Sequence, residues 1–455
     1  MRRNDVNMLS GSITKGLLAI SLPVMVMNVL TSLFNVIDMT ILKTFDPGDG
    51  IAVGAVGVCG SLITLITGLV IGIASGANVV VAKNIGRQNP ETVSRAVGTS
   101  FALSVVSGIV IGIIGVLGAE VFLRWNNCPD TLLEQAAVYF RLYFAGVPLL
   151  MVDNFCSAIL RATGDTRRPM IFSMTSGAIK VLFTFLCAAV FRLGVVGVAI
   201  ATILSWAASS SMYLFALIRH KGLVRLYAKH IRLYKQELKQ ILHIGVPAGL
   251  QRGMYAVANV VITATVNSFG PAATTGISIA NNYDGILYNL VTAPAIAVMP
   301  YVSQNIGAGN IKRAKQSVWS GVLIATGLGA TFGALSAVFS AELSSIMSSD
   351  PAVIAYSQQK MIIISSTYFI CGINDIIGYA LRGMGRPVAA TVATMVFMCA
   401  LRFVWVYLIF PLVPTMTFLY LVWPVGWVLS IISLLFVFFP TVKKLTKAQA
   451  LAKQA

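Results

Sequence analysis

Apolar runs of 20 or more residues, separated by short stretches of charge, proline and glycine, recur from one end of this 455-residue chain to the other. About 20 apolar residues is the length at which an α-helix crosses hydrocarbon. Inside hydrocarbon every backbone N–H and C=O must be bonded within the chain, so segments of this length are helical. Twelve runs are read: near 17–43, 53–81, 94–119, 134–160, 169–191 and 194–218, then near 240–268, 273–302, 316–341, 352–381, 388–411 and 416–440. Composition agrees: 57% of residues are hydrophobic and only 11% charged, against about 25% charged in a soluble domain. Such a chain cannot clothe a water-facing surface. Disorder, a disulfide scaffold and a coiled coil are excluded with it. The first run has the basic flank of a signal peptide (Arg2, Arg3, Lys15), but it is too long for one and contains Pro23, so it is read as span 1.

The basic residues set the orientation. With the N-terminus inside, 25 of the 33 Lys and Arg fall in inner segments and 3 in outer ones (Lys43, Arg124, Arg192). The remaining five lie within spans: Arg141, Lys180, Arg252, Lys360 and Arg402. That bias is the positive-inside pattern and predicts an inner or plasma membrane protein with both termini cytoplasmic. It also accounts for the net charge of +18 as loops facing anionic lipid, without invoking nucleic acid. The three His lie in or beside one polar loop, and Cys128 is the one cysteine placed in an outer loop, which argues against an extracellular disulfide.

The chain is written twice. Asn84-Ile85-Gly86-Arg87-Gln88-Asn89 after span 2 returns as Asn305-Ile306-Gly307-Ala308-Gly309-Asn310 after span 8, and Leu160-Arg161-Ala162-Thr163-Gly164 returns as Leu381-Arg382-Gly383-Met384-Gly385, both at a shift of 221. Spans 1 and 7 align at 224 through Leu18/Leu242, Pro23/Pro247, Asn35/Asn259, Phe45/Phe269 and Pro47/Pro271. Six spans per copy is an even number, so both copies face the same way. The expectation is an all-α polytopic protein of 12 transmembrane helices, built as two six-helix bundles related by a parallel pseudo-two-fold. The segments are 1–218 for the first bundle, 219–239 for a basic cytoplasmic linker, 240–441 for the second bundle and 442–455 for a basic tail. Substrate is expected between the bundles near the midplane.

These motifs, in this order, resemble the multidrug and toxic compound extrusion (MATE) family, in its bacterial form. The resemblance rests on Asn35-Val36-Ile37-Asp38, the two Asn-Ile-Gly loops, the two Leu-Arg-x-x-Gly ends, Ile244-Gly245-Val246-Pro247-Ala248 and Gly194-Val195-Val196-Gly197-Val198-Ala199. It implies cation-coupled export of amphipathic, often cationic compounds by two bundles that rock between inward and outward openings.

Ionisable groups within spans are costly and are the first functional candidates. Asp38 lies one turn from Asn35 on one helix face. Its counterpart in the second copy is Ile262, so the acid exists in one half only, as a coupling site allows and a purely structural acid does not favour. The resemblance makes it a proton or sodium site. In the family, span 5 carries an Asn and then an acid four residues on; here Lys180 and Thr184 stand there, while the span 6 threonine is kept as Thr202. The Glu of span 7 and the Asp of span 10 in sodium-linked relatives are replaced by Tyr255 and Cys371. Sodium, a hard cation, wants several oxygens, and both sets have lost carboxylates. Two readings of Lys180 stand. It pairs with Asp38 as a tethered cation, leaving protons as the coupling ion, or it snorkels to water and never meets Asp38. Asp284 either neutralises a cationic substrate or pairs internally with Arg252 or Arg402; with Tyr255, Arg252, Arg402 and Asn259 it forms the expected substrate set. Asp153 and Asp375, nearly symmetric before the Leu-Arg motifs, are read as structural.

The function expected is therefore secondary active efflux of an amphipathic small molecule against protons or sodium, by a monomer in the bilayer, with no cofactor and no metal site. The runner-up is a flippase for lipid or lipid-linked saccharide, which Lys180, Arg252 and Arg402 keep open. No nucleotide-binding Gly-rich loop, no His-Glu-x-x-His and no His deep within a span is present, so an enzyme is not expected.

Overall fold

The structure, a computed structural model, describes residues 6–45 and 51–454. Arg2, Arg3 and Pro47, used in the reading above, lie outside the described residues. Among those described there is no strand. Span 1 is Ile13–Phe45, span 2 Ile51–Gly86, span 3 Pro90–Trp125, span 5 Arg167–Val190 and span 6 Gly194–Ile218. Span 7 is Lys235–Asn267, span 8 Pro271–Gly307, span 9 Ile311–Val338 and span 11 Pro387–Leu412. Span 12 covers Met416–Tyr420 and Val422–Gln454. Among the described residues nine helices are long and apolar enough to cross a membrane alone, and two bent pairs raise the number to eleven. Span 7 makes twelve; its first turns carry the charges of residues 235–243, so the expected linker 219–239 ends in helix rather than coil.

Spans 4 and 10 are the bent pairs. Span 4 is Asp130–Ala145 and Val147–Ala162 with a 45° bend, and span 10 is Pro351–Ser366 and Tyr368–Gly383 with a 48° bend. The breaks, at Gly146 and Thr367, are 221 residues apart, the repeat shift. Helix runs unbroken through Pro23, Pro247 and Pro294. Pro148 removes an N–H at the first break, but the second has no proline, so proline alone is not the cause. What both share is a glycine pair on the preceding span. A Cβ on Gly108 would lie 2.7 Å from Pro148 Cα, and one on Gly329 2.7 Å from Phe369 Cα. One turn on, a Cβ on Gly112 would lie 3.0 Å from Phe144 O, and one on Gly333 2.2 Å from Ser365 O. Spans 3 and 9 thus press backbone to backbone against the bend of the next span, as small residues permit in membranes.

The repeated loop motifs have local reasons. Gly164 and Gly385, which end the two Leu-Arg-x-x-Gly motifs, have φ of 92° and 79°, a region that only glycine enters freely. Asn89 caps span 3 by accepting from the N–H groups of Glu91 (3.1 Å) and Thr92 (3.3 Å), with Pro90 in the first turn.

The described chain divides into two compact units, one of residues 26–249 with Val6, the other of residues 7–25 with 250–454. The divisions within spans 1 and 7 fall after Met25 and after Gly249, 224 residues apart. In the first unit Gly72 and Gly76 of span 2 receive the start of span 7, Gly249 Cα and Ile241 O each lying 2.2 Å from where a Cβ would stand. The linker lies on span 3, where Thr99 Oγ1 donates to Arg232 O (3.3 Å) and accepts from Tyr234 N (3.3 Å). In the second unit the N-terminal segment is held by Asn305 Nδ2 and Arg313 Nε, which donate to Met8 O at 3.1 and 2.9 Å.

Candidate functional site

Among the described residues two buried carboxylate–ammonium pairs lie within the spans, one in each unit. In the first unit Asp38 is 3% exposed. Lys180 reaches across from span 5, placing Nζ 2.5 Å from Asp38 Oδ2 and 3.2 Å from Asn35 Oδ1, to which it donates. The contact with the acid is ionic: among the described residues neither Asp38 oxygen accepts a well-aligned hydrogen bond. Asn35 and Asp38, one turn apart, therefore hold one ammonium between them. Gly177, one turn before Lys180, allows the close approach, since a Cβ there would lie 2.2 Å from the Phe34 ring. A hollow lined by Asn35, Val36, Met39, Thr40 and Lys43 opens along span 1.

Thr184 and Thr202 are buried but do not join this trio. Thr202 Oγ1 donates to Val198 O of its own helix (2.8 Å), and Thr184 Oγ1 has no partner among the described residues.

In the second unit the expected substrate set divides among four separate contacts. Asp284 pairs with Lys360 of span 10, Oδ2 to Nζ 2.7 Å, rather than with Arg252 or Arg402. The same ammonium donates to Asn281 Oδ1, one turn before Asp284. Arg252 donates to Tyr379 OH (3.3 Å), and Tyr255 OH accepts from Gln251 Nε2 (3.0 Å). Arg402 donates to Asn259 Oδ1 and lies over the Trp423 ring, 5.0 Å from its centre. Asp375 accepts from Thr292 (3.1 Å) and Asn374 (3.3 Å), tying span 10 to span 8.

Sequence reasoning counted Lys360 among the in-span cations without giving it a role. An ammonium in an apolar run, four turns of helix from any charge in its own span, was the available signal. Nothing in the sequence pointed to Asn281, Tyr379 or Trp423.

Six spans written twice, with opposed charges held inside the spans, define a polytopic membrane transporter. The family model MatE matches residues 23–186 and 247–408, one match in each copy of the repeat. The chain belongs to the MATE family. Over 393 residues it is 26% identical to the probable multidrug resistance protein YpnP of Bacillus subtilis, covering 86% of this chain and 87% of that one. It is also 26% identical over 395 residues to the FAD transporter of Shewanella oneidensis, covering 85% and 86%. The fold matches a crystal structure of MATE in complex with MaL6 with a TM-score of 0.89 at 18% identity, covering 98% of this chain and 100% of that one.

Proposed function

We propose that this transporter exports amphipathic organic molecules in exchange for protons by alternating access, with Asp38 as the proton-accepting group and Lys180 as its tethered counter-ion. The observation that carries the reading is the pair itself: a nearly inaccessible carboxylate joined to an ammonium on another span at 2.5 Å. Losing one partner of a buried pair leaves an uncompensated charge, at a cost of about 3–5 kcal/mol. Protonating Asp38 withdraws its charge from Lys180, whose remaining partner among the described residues is the Asn35 amide. The tie between spans 1 and 5 then loosens, and the conformational equilibrium of the first unit depends on the proton. Lys180 occupies the place of a free metal cation beside Asp38, which favours protons over sodium. Thr184 and Thr202 stay in the proposed coupling region as buried hydroxyls close in sequence to Lys180 and on the next span.

The substrate set is proposed in the second unit, from Asp284, Tyr255, Arg252, Arg402 and Asn259. Relatives named as a probable multidrug resistance protein and an FAD transporter favour small organic molecules. A cationic substrate at Asp284 has to compete with Lys360. The distribution of Lys and Arg favours cytoplasmic termini.

The test is ethidium transport in proteoliposomes under a proton gradient or a sodium gradient, imposed separately. Proton-driven transport that disappears in Asp38→Asn is the expected result. Transport driven by sodium in the wild type would overturn the role given to Lys180.

A further inference from the structure

The two copies of the repeat meet their span 5 and span 11 cations differently. Lys180 and Arg402 are 222 residues apart, within the 221–224 repeat shift, and each donates to the span 1 or span 7 asparagine of its own unit, Asn35 or Asn259. In the first unit the acid one turn on, Asp38, completes the set. In the second unit that position is Ile262, 4% exposed. Arg402 itself is 5% exposed. Its guanidinium carries five N–H donors, and among the described residues its partners are the Asn259 oxygen and the Trp423 ring. The unit's in-span acids are taken: Asp284 by Lys360, and Asp375 by Thr292 and Asn374. The ionisable groups around Arg402 are Tyr255, Cys371 and Cys399, of residue types uncharged at neutral pH.

A buried cation with one neutral acceptor is expensive in an apolar bundle, and an intramembrane charge of this kind points to a site. A second, independent feature of the backbone points to the same place. Span 11 leaves the α-helix twice, as π-helix at Val396–Ala400 and at Trp405–Ile409, and Arg402 lies in the four-residue α-turn Leu401–Val404 between them. Single π-turns inside helices occur disproportionately at functional sites.

We propose that Arg402, with Asn259 and Trp423, binds an oxyanion, a carboxylate or phosphate group, carried on a flat aromatic body, and so receives the anionic part of the transported molecule; the second clause rests on the placement of substrate in the second unit. The guanidinium fork matches the paired oxygens of either group. The Trp423 face stacks on a planar ring, and Trp405 and Trp427 belong to the same core cluster. Asn259 keeps one edge of the guanidinium fixed and leaves the other donors for the ligand. The site is the chemical inverse of Asp38: where the first unit carries its own anion, the second borrows one from the cargo.

Equilibrium dialysis of the purified full-length protein tests this with four probes sharing one aromatic body: 2-naphthoate, 2-naphthyl phosphate, 2-naphthalenemethanol and 2-naphthylmethylammonium. At least one oxyanion probe is expected to bind roughly ten-fold or more tightly than the neutral alcohol, the ordinary increment of a charge-assisted hydrogen bond. Comparison of the two oxyanion probes tells carboxylate from phosphate. Arg402→Gln should bring that probe down to the alcohol's affinity, while Arg402→Lys keeps part of the preference. A wild type that binds both oxyanion probes no better than the alcohol overturns the proposal without need of any variant, and so does a preference unchanged in Arg402→Gln. Ethidium export on a proton gradient, measured on the same preparation, separates this outcome from failure of the coupling mechanism, which rests on Asp38.

Discussion

At the scale of single residues, the spans are governed by how each buried charge is compensated. Asp284 and Lys360 illustrate the energetics. The side chains are 13% and 4% exposed and meet at 2.7 Å, so removing either strands the other in a poorly solvated place. Lys360→Met should lower stability by about 3–5 kcal/mol, whereas Lys360→Met combined with Asp284→Leu should recover most of it, because a buried pair replaced by apolar groups is often neutral. Thermal unfolding in detergent, read as a double-mutant cycle, checks this; a double variant as unstable as the single one would mean that Asp284 is held by something other than Lys360. The Asp38–Lys180 contact could be framed from the sequence because both groups are ionisable and lie within spans, where each needs a partner, and the family resemblance implies another residue at the lysine. For Asp284 the sequence reading named Arg252 or Arg402 as the internal partner and passed over Lys360, which the structure places against it. That choice depends on rotation and depth of spans 8 and 10 to within an ångström or two, which apolar periodicity does not encode.

At the scale of elements, the spans themselves were legible because hydrocarbon demands long apolar helices, and most described helices begin and end within a few residues of the expected runs; the last helix is the exception, continuing to Gln454 through the stretch expected as a basic tail. The sites of bending were not. Prolines within a span draw attention, yet Pro23, Pro247 and Pro294 lie in continuous helix, and the bends of spans 4 and 10 sit where a glycine pair of the preceding span presses on the backbone. A bend made by a neighbour leaves no mark in the bent segment's own sequence. This carries a prediction. Gly333→Ala puts a methyl group 2.2 Å from Ser365 O, a backbone atom that cannot swing aside, whereas Gly327→Ala, on the same span, has nothing within 4 Å. Gly333→Ala should therefore be destabilised by about 1–3 kcal/mol, the usual cost of overpacking. Gly327→Ala should be neutral or more stable by up to about 1 kcal/mol from helix propensity alone. Detergent melting temperatures of the two variants decide it, and equal melting temperatures would mean that spans 9 and 10 are not held at backbone contact.

At the scale of the whole molecule, duplication explains more than any motif. It sets the six-span unit, the matched bends, the matched glycine turns at Gly164 and Gly385 and the matched division points in spans 1 and 7. It was legible in the sequence because loop and cap residues are fixed by backbone geometry and survive divergence of the apolar faces. The same duplication makes the differences between copies informative, since a position needed only for packing has the same reason to persist in both. The sharpest difference is Asp38 against Ile262, each one turn beyond an asparagine bonded to a basic side chain. Ile262→Asp would write the first unit's arrangement into the second. If the repeat equivalence holds in detail, the new carboxylate faces Arg402 and forms a pair, so Ile262→Asp should be at least as stable as the isosteric Ile262→Asn, although an unpaired acid in that apolar cluster would cost several kcal/mol more than an amide. The advantage should reverse in the Arg402→Gln background, where the acid has no cation to meet. Melting curves of the four variants measure the coupling directly, and an acid that is less stable than the amide with Arg402 present would show that the two copies, alike in their turns and bends, no longer superimpose at their charged centres.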